Sequence, residues 1–142
     1  MTKEYLYEYA GKREFYSRTP SGHDLFTDAT IESGGNGRAA TPVEMVLSGL
    51  AGCTGIDVTM ILEKKRVSFD SLKIRMITER TDDEMRHFEK IHLIYEFSGH
   101  DLPLEKIQQS VQLSQDKYCT VAAMLKGSIK LSYEIKLVES QK

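Results

Sequence analysis

The sequence predicts an α+β fold. Three observations carry that prediction: a C-terminal segment of strict two-residue alternation, a long segment opened by a complete helix cap, and the segregation of strand-like from helix-like stretches. At 142 residues the chain fits a single domain, residues 1–142, without disulfide or metal staples. No internal repeat, low-complexity tract or interdomain linker interrupts it.

The first strands are read near the N-terminus. Tyr5, Tyr7 and Tyr9 alternate, and short apolar pieces near Phe15 and Leu25 flank the turn sequence TPSGHD, giving three short strands. The stretch ESGGNGRAA, ending at Ala40, is rich in glycine and lacks the order of a phosphate-binding loop, so it reads as a flexible connection. Thr41-Pro42-Val43-Glu44 then places a capping threonine, a first-turn proline and a glutamate three residues after the cap, which together form a capping box. The helix it opens can run to about Lys65, ending in basic residues that suit the negative end of the helix dipole. Leu72, Ile74 and Met76 alternate before a polar turn, and Ile91, Leu93, Tyr95 and Phe97 after it, as in a long antiparallel hairpin. A second helix spans Leu104 to Ser114, with Leu104, Ile107 and Val111 on its apolar stripe, and a short third helix begins near Cys119 and stops at Gly127. In the last strand Ile129, Leu131, Tyr133, Ile135 and Leu137 share one face and Lys130, Ser132, Glu134 and Lys136 the other.

Nineteen basic and 21 acidic residues give a net charge of -2 with no basic stripe, which argues against a nucleic-acid partner. No run approaches 18 consecutive apolar residues and the N-terminus is strand-like and charged, so the expectation is a cytoplasmic chain with no membrane partner. The histidines, His23, His87, His92 and His100, are scattered, and no CxxC or HExxH spacing occurs; neither a metal nor another cofactor is expected.

Two cysteines in a reducing compartment read as free thiols or a redox pair. Gly49, Gly52, Cys53 and Ile56 fall on one side of the long helix, where each interior glycine costs roughly 1 kcal/mol against alanine. Such a flat side either admits another backbone, leaving Cys53 at the floor of a groove, or packs tightly within a core where Cys53 is a small hydrophobe. Cys119 sits at the expected start of the third helix, where backbone amides favour its thiolate; packing beside Tyr118 and Val121 is the alternative. The two cysteines lie 66 positions apart, and spacing alone does not fix their distance.

TPVEMVLSGLAGCTGIDV, followed by VQLSQDKYCTVAAML, closely resembles the two cysteine-bearing helix motifs of the OsmC-like proteins, a family that includes the organic hydroperoxide resistance enzymes. The likeness covers nearly the whole chain in order and element type and is strongest to the branch of predicted redox proteins. It implies an intertwined homodimer with active sites at the subunit interface, hydroperoxide as substrate and a small or protein-borne dithiol as reductant. By motif, Cys53 matches the peroxidatic cysteine and Cys119 the resolving one.

The family's enzymes also use a glutamate directly after the motif proline, and that position here is Val43, with Glu44 one place later. They use an arginine as well, for which Arg38 is the candidate of the loop before the helix, beside Arg13 and Arg80. Asp57, four residues after Cys53 on the same helix face, opposes thiolate formation. Two functions follow: a thiol-dependent peroxidase working through a Cys53 sulfenic acid and a Cys53–Cys119 disulfide, or a dimeric stress-associated binding protein of the same fold without significant turnover.

Overall fold

The computed structural model describes residues 1–140. They form two compact units, the first ending at Ser48 and the second beginning at Gly49. The first holds a three-stranded antiparallel sheet, β1 (Glu8–Gly11), β2 (Glu14–Arg18) and β3 (Asp24–Thr27), in sequential order. Cross-strand aromatic pairs support its register: the tilted rings of Tyr9 and Phe15 pack at 5.7 Å and those of Tyr16 and Phe26 at 5.0 Å between centroids. The first strand is shorter than the tyrosine alternation predicts, because β2 pairs it only as far back as Glu8 opposite Tyr16; Tyr5 and Tyr7 precede it.

The glycine-rich stretch is braced rather than slack. Buried Asp28 accepts backbone N–H groups from Ala29 at 2.7 Å, Arg38 at 3.1 Å and Asn36 at 3.2 Å, which draws the loop around one carboxylate. Gly35 lies so close that a Cβ there would stand 2.1 Å from the Ala29 carbonyl oxygen. The loop delivers the chain to Thr41, and the capping box forms as read: the Glu44 carboxylate accepts the Thr41 N–H at 2.9 Å, and Thr41 Oγ1 accepts the Glu44 N–H at 3.2 Å.

Helix α1 runs from Pro42 to Lys64. Its C-terminus closes as a Schellman turn, with Val67 N–H on Leu62 O, Arg66 N–H on Glu63 O, and Arg66 itself at φ 57° where glycine is usual. Only Leu50, Thr54, Val58 and Leu62, spaced by four, are buried along it. Val46, Ile56 and Met60 stay exposed. Although no unbroken apolar run of 18 residues occurs, α1 is long and apolar enough by composition to cross a bilayer, which corrects the expectation that no segment comes near that threshold.

The second unit is built on β4 (Ser71–Arg80), β5 (Phe88–Gly99) and β6 (Lys130–Glu139), with β5 in the middle. The hairpin β4–β5 pairs Leu72 with Phe97, Ile74 with Tyr95 and Met76 with Leu93, as the alternation predicts. Strand β6 runs parallel to β5, a direction that the alternation of its residues does not specify. The helical crossover α2 (Leu104–Leu113) and α3 (Thr120–Leu125) carries the chain back to the starting end of β5, which makes a parallel pairing the natural return. Ile91, Leu93, Tyr95 and Phe97 of β5 are completely buried, as are Ile107 and Val111 of α2 and Leu50, Val58 and Leu62 of α1. Each large apolar side chain buried in this way contributes about 1.5–3 kcal/mol relative to leaving it exposed. Leu104, placed on the apolar stripe by its spacing, is exposed, and Ser110 is buried instead.

Candidate redox site

Cys53 and Asp57 stand one helical turn apart on α1, so their side chains share a face. Cys119 arrives from a segment 66 residues further along the chain. Between α2 and α3 the chain makes one wide π-type turn, Ser114–Tyr118, closed by the Cys119 N–H on the Ser114 carbonyl at 2.8 Å. That turn ends in an extended residue, Cys119 at φ -73° and ψ 103°, which caps α3. The outcome is a cluster in which the two sulfurs and the Asp57 carboxylate lie within 4.8 Å of one another. Both thiols are free; Cys53 is half-buried and Cys119 is buried.

A chain of hydrogen bonds leads from the core to this cluster. The Gln115 amide donates to Tyr95 Oη at 2.6 Å, Tyr95 Oη and Thr54 Oγ1 are 2.7 Å apart, Thr54 Oγ1 and Ser114 Oγ are 2.7 Å apart, and Ser114 Oγ donates to Asp57 Oδ2 at 3.2 Å. An amide N–H can only donate and a carboxylate only accept, so each hydroxyl donates toward Asp57 and accepts from the side of Gln115. Every member is satisfied, and Thr54 and Ser114 are fully buried. Burial raises the Tyr95 pKa, partly offset by its bonds to Thr54 and Gln115, so the ring stays a neutral phenol.

The environment of Cys119 reverses one expectation. Burial pushes its thiol up to about 11; the Ala122 N–H, 3.4 Å from the sulfur, lowers it, but neighbouring Cys53 and Asp57 raise it further. Amide stabilisation at the start of α3 is outweighed, and Cys119 is a protonated thiol at neutral pH.

The other sequence candidates are engaged elsewhere. Glu44 holds the Thr41 N–H in the capping box. Arg38 Nε lies 3.5 Å from the Glu14 carboxylate, and Arg13 Nη1 donates to the Lys12 carbonyl at 3.0 Å. Arg80 Nε donates to Arg86 O at 2.6 Å across the hairpin turn, with its guanidinium over the Phe88 ring. Beside the cluster a cleft of about 540 Å³ opens, lined by Asp57, Met60, Ile61, Leu113 and Tyr118 with Lys64 and Lys65.

Two cysteines brought together from such distant segments on this fold invite comparison with known proteins. Residues 34–134 match the family model described as OsmC-like protein. The chain belongs to the OsmC-like family. Among curated relatives of this OsmC-like protein, Protein YhfA of Escherichia coli strain K12 is 34% identical over 124 residues, covering 87% of this chain and 90% of its own length. A hypothetical protein from Aquifex aeolicus VF5 superposes with a TM-score of 0.84 at 28% identity, covering 99% of each chain. The organic hydroperoxide resistance protein OhrB of Bacillus subtilis shares the fold at a TM-score of 0.64 and 19% identity, covering 94% of this chain and 98% of its own.

Sequence reasoning missed the polar chain of this OsmC-like protein. Thr54 directly follows Cys53 on an otherwise apolar face, and Ser114-Gln115 stand just before the second cysteine. Their polarity at buried positions was the available signal, but the partners lie on three separate segments.

Proposed function

We propose that this OsmC-like protein is a thiol-dependent peroxidase acting on organic hydroperoxides or hydrogen peroxide. The observation that carries the reading is the approach of the two sulfurs, within 4.8 Å, with the more accessible one at the position of the peroxidatic cysteine. In the reaction, the Cys53 thiolate attacks the terminal peroxide oxygen, the O–O bond breaks, and a proton completes the released alcohol or water, leaving a sulfenic acid. The Cys119 sulfur then attacks that sulfenic sulfur. Its proton passes to the leaving hydroxide, released as water, with the Asp57 carboxylate placed by Ser114 to relay it. A dithiol reduces the resulting disulfide by two exchange steps and is itself oxidised.

The working unit is a homodimer in the cytoplasm. Support comes from the flat side of α1: a Cβ at Gly49 or Gly52 would meet no atom within 4 Å among the described residues, so packing within the chain does not account for these glycines, and exposed Val46, Ile56 and Met60 lie along the same helix. A second copy approaching there offsets their propensity cost. Glu44 and Arg38 remain the peroxide-orienting candidates by sequence, while Glu44 Oε1 accepts the Thr41 N–H and Arg38 Nε lies 3.5 Å from Glu14.

Those engagements favour the second reading, a dimeric stress-associated binding protein without significant turnover. Stopped-flow peroxide consumption with a dithiol reductant separates the two. The peroxidase reading predicts loss of turnover in Cys53→Ser and accumulation of sulfenic acid in Cys119→Ser. Peroxide consumption equal to that of Cys53→Ser in the parent protein leaves only the binding reading.

A further inference from the structure

We propose that reduced Cys53 and Cys119 together with Asp57 form a binding site for one thiophilic divalent ion, zinc by the nature of the donors, with a fourth position left open. Two thiolates and a carboxylate are a borderline-soft donor set, which magnesium and calcium disfavour and zinc accepts in tetrahedral geometry. Zinc–sulfur bonds of about 2.3 Å place tetrahedral ligand atoms roughly 3.8 Å apart. The three ligand atoms are already within 4.8 Å of one another, so side-chain rotation closes the difference without moving either helix.

The surroundings are those of a built metal site. Ser114 Oγ donates to Asp57 Oδ2 at 3.2 Å, leaving Oδ1 for the ion, and Ser114 is itself held at 2.7 Å by buried Thr54. The Ala122 N–H points at the Cys119 sulfur from 3.4 Å, the contact that commonly steadies a metal-bound thiolate. Asp57 also lines the cleft of about 540 Å³, which gives an approach to the site from its carboxylate side. No motif spacing betrays such a site, because its ligands come from one helix and from a turn 66 residues away.

Occupancy and oxidation of the pair exclude one another. Binding takes both sulfurs as thiolates, with the thiol protons released to solvent. Oxidation by a hydroperoxide takes two electrons from the two zinc-bound thiolates, forms one sulfur–sulfur bond, consumes two protons and yields free zinc ion, an alcohol and water. A disulfide no longer offers the ion its thiolate pair, so the ion leaves. Metal binding requires no peroxide turnover and stands or falls independently of the peroxidase reading.

Titration of the fully reduced protein with cobalt(II), in the absence of peroxide, tests the site. The expected result is a thiolate-to-cobalt charge-transfer band with the visible bands of four-coordinate cobalt, saturating at one ion per chain and displaced by zinc. The band is lost in Cys53→Ser and in Cys119→Ser, and also when the thiols are alkylated in the parent protein. Ser114→Ala, which leaves all three ligands in place but removes the hydroxyl that holds the carboxylate, weakens zinc binding on the order of tenfold or more, and Asp57→Asn weakens it further, each compared at matched far-ultraviolet circular dichroism. Absence of a saturable band overturns the site, as does a band unchanged in Cys119→Ser or zinc affinity unchanged in Asp57→Asn. Saturable binding by a protein that consumes no peroxide supports the metal site while removing the peroxidase reading.

Discussion

The Ser114 hydroxyl donates to Asp57 at 3.2 Å while lying 2.7 Å from Thr54, and so ties the charged edge of the thiol cluster to the core of the second unit. Ser114 opens the turn that carries Cys119, and Thr54 and Asp57 follow Cys53 by one and four residues on α1. One small side chain therefore couples the two cysteine-bearing segments.

Tyr95→Phe removes the hydroxyl that receives Gln115 and adjoins Thr54. The ring still fills its place, but a buried amide and a buried hydroxyl lose a partner. The expected loss is about 1–3 kcal/mol of unfolding free energy, read from urea denaturation. A midpoint unchanged from the parent contradicts the polar chain as a structural element.

At the start of α1, Thr41→Ala is expected to cost about 1 kcal/mol, whereas Glu44→Gln keeps an oxygen for the Thr41 N–H and changes stability little. Glu44→Gln thereby separates capping from catalysis. Full peroxide turnover in that variant confines Glu44 to the cap, and a large fall in turnover at unchanged stability assigns the carboxylate to the chemistry.

Three backbone N–H groups, from Arg38 foremost and then Ala29 and Asn36, hold the Asp28 carboxyl below its ordinary value of 3.8. The folded state thus binds this proton less readily than the unfolded chain. The stabilisation is present above about pH 3.8 and is lost as pH falls through the lowered folded value. Asp28→Asn should speed amide exchange at Asn36 and Arg38 in mild acid and flatten the acid dependence of the parent loop. Exchange rates equal to the parent's count against the carboxylate as the brace of this segment.

Burial acts on Cys119 in the opposite sense, raising its thiol from 9.0 to about 11. Folded protein retains a proton that the unfolded chain releases, so this stabilisation is complete below about pH 9 and disappears as pH rises toward 11. Between the ends of that window the urea midpoint should fall more in the parent than in Cys119→Ser. Equal falls place the alkaline sensitivity in other groups, such as Tyr95.

Legibility in the sequence followed the range of the interactions. The capping box is local, and Thr41 and Glu44 take the roles their spacing predicts. Leu72, Ile74 and Met76 meet their partners on β5 because alternation fixes both faces of a hairpin. The direction of β6 was not legible, since Leu131 to Leu137 alternate identically in a parallel or an antiparallel pair. Arg66 at positive φ carries no glycine signal, and the wide turn before Cys119 lacks a composition of its own. The proximity of Cys53 and Cys119 was legible only through resemblance, and the bonds joining Thr54, Tyr95, Ser114 and Gln115 arise when three distant segments converge.

Mass analysis of the reduced protein after one equivalent of an organic hydroperoxide, under non-reducing conditions and with peptide mapping, tests the pairing of the two sulfurs most directly. The expected product is a chain lighter by two hydrogens, with the peptides of Cys53 and Cys119 joined to each other. Two unmodified thiols, or a Cys53 oxidised beyond sulfenic acid beside an untouched Cys119, contradict it.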